Sequence, residues 1–135
     1  MSHQARWMCG LTLILVPTII YGGLTVLGVV SRGTMGVPAP DNLTPEQIIF
    51  YRAGHAHAGV LSILSLFLQI AIDYAALPSG FMWVLRIGAL AAALLVSGGF
   101  FAAAYLPSLR ILLYLGAFVL TGVTLTVGVG LLRAG

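Results

Sequence analysis

The chain has 135 residues, 60% of them hydrophobic, and its six arginines and three acidic residues make up 7% of its positions, against about 25% in an ordinary soluble domain. So few charges cannot cover a domain of this size in water, which excludes a soluble monomer and makes lipid the expected solvent. The net charge is +3, but Arg6, Arg32, Arg52, Arg86, Arg110 and Arg133 stand singly. With no basic run, nucleic acid is not an expected partner, and the arginines read as interface anchors. A single cysteine, Cys9, forbids an intrachain disulfide.

The first expected span covers 7–30, a stretch without formal charge between Arg6 and Arg32, long enough to cross the membrane. It exceeds the apolar core of a signal peptide and no small-residue cleavage pattern follows, so it is expected to remain in the mature protein. Pro17 is expected to kink it near mid-membrane. Residues 31–44 change composition sharply, with two glycines, two prolines, Asp41 and Asn42, and form the one long connecting loop.

Thr44-Pro45-Glu46-Gln47 is a helix start: an N-cap threonine, proline at the first helical position and glutamine where a capping box needs it. A helix from 45 to 76 would run about 48 Å, longer than a hydrocarbon core of about 30 Å, so the span proper is set at 48–76 with the first turns outside lipid. Leu77-Pro78-Ser79-Gly80 makes a turn, 81–105 a third span, Leu106-Pro107 a break and 108–132 a fourth span. The pattern predicts an all-α fold, an integral membrane four-helix transmembrane bundle forming a single domain over 1–135, with both termini on the same side. The arginines divide equally between the two ends, which leaves orientation open.

Small residues carry helix packing in lipid, where no hydrophobic force acts between helices. Gly88, Ala92, Gly99 and Ala103 stand in small-xxx-small pairs, and Gly116, Gly122, Gly128 and Gly130 punctuate the fourth span. They fit tight packing within one bundle or a face for a homo-oligomer or another membrane subunit. Thr121, Thr124 and Thr126 are expected to bond carbonyls of their own helix. Trp7, Trp83, Tyr74 and Tyr105 lie at span ends, as interface aromatics do.

The segment Arg52-Ala53-Gly54-His55-Ala56-His57-Ala58-Gly59 opens the second span, and ionisable residues at membrane depth point to function. Histidines two residues apart project about 200° apart on a helix, so one ion cannot easily take both. Ser62, Gln69 and Asp73 fall within about 40° of His55, forming a polar stripe that must face the bundle interior or a water-filled cavity. The His57 side carries Leu61, Leu64 and Leu68 and is apolar, facing lipid, a partner or a flat ligand.

Three readings of this segment stand side by side. His55 and His57 can be structural, hydrogen-bonded to neighbours. They can ligate haem iron or a transition-metal ion, for which neutral imidazole is the usual ligand. Or His55, Gln69 and Asp73 can relay protons. Arg52, Tyr105 and Arg110 gather with Asp41 and Glu46 at the long-loop end, a composition suited to an anion such as a haem propionate, and Asp73 and Arg86 are expected to pair across the short turn.

The string Arg52-Ala-Gly-His-Ala-His-Ala-Gly-Val-Leu61 resembles one carried by small four-span bacterial membrane proteins, which implies the bacterial inner membrane but brings no activity. Locally, His55-x-His57 is similar to the helix of haem-copper oxidase catalytic subunits on which two histidines ligate two haems on opposite faces. The chain has too few other histidines for a full oxidase. Arg52-Ala-Gly-His-Ala-His57 also resembles the Arg-Ala-His motif of the membrane-associated eicosanoid and glutathione metabolism family. There an asparagine and a glutamate follow, whereas here Ala58 and Gly59 do, so only Arg52 would carry over, as a thiolate or anion contact.

The leading expectation is an integral membrane protein holding a haem or transition metal through His55 and His57 for electron transfer, with His55 the preferred interior ligand and Arg52, Arg110 and Tyr105 as anion partners. The alternatives are an accessory or assembly subunit of a larger membrane complex and a divergent glutathione-type membrane transferase.

Overall fold

The computed structural model describes all 135 residues and contains four α-helices: α1 (His3–Ser31), α2 (Pro45–Tyr74), α3 (Ser79–Ala103) and α4 (Ile111–Ala134), the last preceded by a 3₁₀ turn, Pro107–Arg110. All are long and apolar enough to cross a membrane, and there is no strand. The fold is an all-α four-helix bundle of a membrane protein.

Local chemistry sets the ends. Ser2 caps α1 by accepting the Ala5 N–H on its hydroxyl at 3.1 Å, so the helix starts four residues before the apolar run does. α1 passes through Pro17 without interruption. It stops where Arg32 adopts a left-handed φ of 50°, its N–H and that of Gly33 returning to the Val29 and Gly28 carbonyls, the usual satisfaction of terminal carbonyls. At α2 the capping box forms in full: Thr44 Oγ1 accepts from the Gln47 N–H at 3.2 Å and Gln47 Oε1 from the Thr44 N–H at 2.9 Å. Pro107 breaks the chain as expected, and one 3₁₀ turn leads into α4.

The helices do not form a closed square. α3 touches all three others, whereas α1 reaches α2 and α3 but not α4. The main core joins Leu68, Ala71 and Ile72 of α2, Leu85 and Ala89 of α3, and Val123 and Val127 of α4, and a smaller cluster of Leu61, Ala93 and Val96 continues toward the long-loop end. Only five residues of α1 are buried; Leu13, Ile14, Ile20, Tyr21 and Leu24 face outward, which lipid favours and water would not. The short turn is tied down by the Ala76 N–H, which donates to the Gly130 carbonyl at 2.9 Å.

Backbones approach most closely between α3 and α4. A Cβ on Gly116 would stand 2.9 Å from the Val96 nitrogen, and one on Gly99 would stand 3.0 Å from the Leu113 nitrogen. Gly88 and Gly130 are also filled by neighbours within the chain, whereas Gly122 and Gly128 face open space. Thr121, Thr124 and Thr126 bond their own helix, donating to carbonyls three or four residues back. Asp73 and Arg86 stand at the same end as Ser2 and Arg133, and the long loop lies at the other.

Candidate functional site

The two histidines address different helices. His55 is half-buried and faces α1 at Gly22 and Gly23, where a Cβ on Gly23 would lie 3.1 Å from both Cε1 and Nε2 of the ring. The glycine pair lets the α1 backbone come up against the imidazole, and no space for a flat macrocycle remains on that side. His57 is exposed. Its ring lies 4.8 Å from the Phe100 ring, centroid to centroid, and its Nδ1 is 2.7 Å from the Ala53 carbonyl. A carbonyl oxygen only accepts, so Nδ1 is the donor in this contact, and Nε2 makes no hydrogen bond within the chain.

The aromatic residues beside His57 form a small cluster between α2 and α3. Phe50 meets Phe100 at 6.0 Å, and Tyr51 meets Phe101 edge-on at 5.6 Å. Gly54 permits this, since a Cβ there would stand 3.1 Å from Phe100 and Phe101. The Tyr51 and Tyr105 hydroxyls share a hydrogen bond.

The anion cluster expected from Arg52, Tyr105 and Arg110 is not assembled as one group. The Arg110 guanidinium pairs with Glu46 and sits 5.3 Å over the Phe50 ring, and Tyr105 is engaged by Tyr51. Arg52 is exposed, with no ion-pair or hydrogen-bond partner in the chain.

The polar stripe of α2 does turn inward. Ser62, Ser65 and Gln69 are buried, and Gln69 is wholly so. Between α1, α2 and α3 the stripe borders a cavity of about 60 Å³ lined by Thr18, Ser62 and Ser97; the Ser65 and Ser97 hydroxyls have no partner. At its far end Gln69 and Asp73 converge on Arg86, whose side chain is entirely buried. Arg86 Nη1 donates to the Gln69 carbonyl at 2.7 Å, and Nη2 donates to Asp73 Oδ1 and, at 3.2 Å, to Ser2 Oγ. The Ser2 N–H donates to Asp73 Oδ2 at 2.6 Å.

Gln69 and Asp73 thus lie together, with Arg86 between α2 and α3, while His55 stands at the opposite end of the stripe. Ser2 is the member that sequence reasoning missed. Its one signal was a capping serine three residues before Ala5. Phe100, Gly22 and Gly23 were missed as neighbours of the histidines because they lie on other helices and nothing local marks them.

No three His, Cys, Asp or Glu side chains come together in a way that would hold a metal ion within the chain. In comparison with known proteins, the chain matches no family model, no curated protein and no solved structure.

Proposed function

We propose that the protein is a small integral membrane subunit that holds a haem or transition-metal ion at His57 and serves electron transfer. The observation carrying this reading is the His57 Nδ1–H bond to the Ala53 carbonyl. A ligating histidine almost always donates its second ring N–H in this way, which orients the ring and raises the basicity of the ligating nitrogen. His57 is also exposed, with Phe100 on one side of its ring, whereas the α1 backbone covers His55 at Gly23. His57 therefore replaces His55 as the preferred ligand, and His55 acts in helix packing.

A bound haem supplies one-electron redox chemistry tuned by its axial ligand and by the polarity around it. The chain's own part would be to present Nε2 and to shield one side of the ring with Phe100. No three ligating side chains come together within the chain, so further ligands would come from a second copy or another membrane subunit. The reading includes a bacterial inner membrane location with both termini on one side. Ser2 and Arg133 lying at one end of the bundle supports the latter.

The test is an oxidised and dithionite-reduced absorption spectrum, with metal analysis, of protein purified in mild detergent. A Soret band or stoichiometric metal that His57→Ala removes and His55→Ala retains is the expected result. A colourless, metal-free protein that also fails to take up added haem overturns it.

A second reading, an accessory or assembly subunit of a larger membrane complex, is favoured by α1, which leaves most of its length uncovered by the chain. It predicts a large hetero-complex on gentle extraction.

A further inference from the structure

The end of α1, the loop after it and the first turns of α2 border an open-mouthed pocket of about 460 Å³, lined by Val29, Leu43 and Ile48 and by the exposed Arg32, Asp41 and Asn42 among others. That volume is in the range of small-molecule sites. Its wall is held by close packing: the loop crosses α1 at Gly28, where a Cβ would stand 2.3 Å from the Pro38 carbonyl oxygen. Arg32 and Asn42 hold left-handed φ values of 50° and 60°, which cost a non-glycine residue energy.

Two opposite charges line this one cavity. Neither Arg32 nor Asp41 has an ion-pair partner in the chain, whose ion pairs involve only Asp73, Arg86, Arg110, Glu46 and the terminal amine. Val29, Leu43 and Ile48 give it an apolar side. α1 is one of the apolar spans and ends at Ser31, so Arg32 follows directly on its last turn, where headgroup contacts are expected.

A matching ligand carries an anion and a hydrogen-bonding cation on an apolar stem. We propose that the cavity binds the phosphoethanolamine headgroup of a membrane lipid, Arg32 taking the phosphate and Asp41 the primary ammonium. Guanidinium forks suit phosphate oxygens, and a carboxylate accepts from an ammonium N–H. A choline headgroup has no N–H to donate, and a glycerol headgroup brings no cation to Asp41. The site is independent of the haem reading and shares with it only the membrane setting.

The test uses the full chain in detergent, titrated separately with phosphatidylethanolamine, phosphatidylcholine, phosphatidylglycerol and free phosphoethanolamine. Retained lipid is read by native mass spectrometry and stabilisation by thermal unfolding. Phosphatidylethanolamine is expected to be retained in preference to the other lipids. Arg32→Gln should weaken its binding about tenfold or more, and Asp41→Asn should erase the preference over phosphatidylcholine; Arg6→Gln, at the other end of α1, should change neither. Equal retention of the three lipids by the unmodified protein overturns the proposal, whatever the variants do. So does a preference that survives in both Arg32→Gln and Asp41→Asn, or free phosphoethanolamine binding as tightly as the lipid, which would mark a soluble ligand.

Discussion

Gln69 and Arg86 each bond the other's main chain: Gln69 Nε2 donates to the Arg86 carbonyl at 3.0 Å, and Arg86 Nη1 donates to the Gln69 carbonyl at 2.7 Å. Both side chains are wholly buried. The exchange stitches α2 to α3 near their connecting turn and holds the guanidinium against Asp73, so the buried charge is neutralised and bonded through Nη1 and Nη2, with Nε left without a partner.

Removing one partner of such a pair leaves an uncompensated buried charge. Arg86→Met and Asp73→Asn are each expected to cost about 3–5 kcal/mol. The double variant should cost clearly less than the sum, because neither orphaned charge remains. Reversible unfolding in detergent measures this; strict additivity would mean the pair contributes no coupling.

Gln69→Leu removes a bond donor without removing charge and leaves the Arg86 carbonyl its helical bond. A loss of about 1–3 kcal/mol is expected, smaller than that of Arg86→Met. Ranking the two by thermal midpoint is sufficient, and the opposite order would make the glutamine, not the ion pair, the main tie.

Glycines separate by what a side chain would meet. Gly116→Ala drives a Cβ to within 2.7 Å of Val96 Cγ2 and 2.9 Å of its nitrogen, an overpacking worth about 1–3 kcal/mol of destabilisation. Gly122→Ala meets nothing and should stabilise by up to about 1 kcal/mol through helix propensity. If Gly122→Ala instead destabilises or shifts the oligomeric state, that face of α4 is covered by another chain.

The ion pair between Arg110 and Glu46 is open to solvent, with side chains 44% and 66% exposed. Glu46→Gln should therefore cost less than about 1 kcal/mol, and the difference should shrink with added salt. Thr44→Ala, which removes the capping bond two residues earlier, is expected to cost about 1 kcal/mol independently of salt.

Much of the architecture was legible because its causes are local. The uncharged runs, the Thr44–Gln47 cap and the breaks at Pro78 and Pro107 act within a turn of chain, and the 3.6-residue period alone put Ser62, Gln69 and Asp73 on one inward face. The Asp73–Arg86 pair was readable for the same reason, since a short turn brings the two helix ends together. α1 begins four residues before the uncharged run because the Ser2 hydroxyl caps it there.

Residue order alone is enough for the lipid setting, the number of helices and the polar face of α2, because hydropathy and helical period need nothing more. The tertiary structure alone decided that His55 lies under Gly22 and Gly23, that His57 meets Phe100, that Glu46 occupies Arg110, and that Ser2 completes the Arg86 network. Each of these joins residues on separate helices or segments. Their meeting depends on how close two backbones come and at what rotation, which small residues permit but do not specify, since in lipid no hydrophobic pattern marks the contacting face.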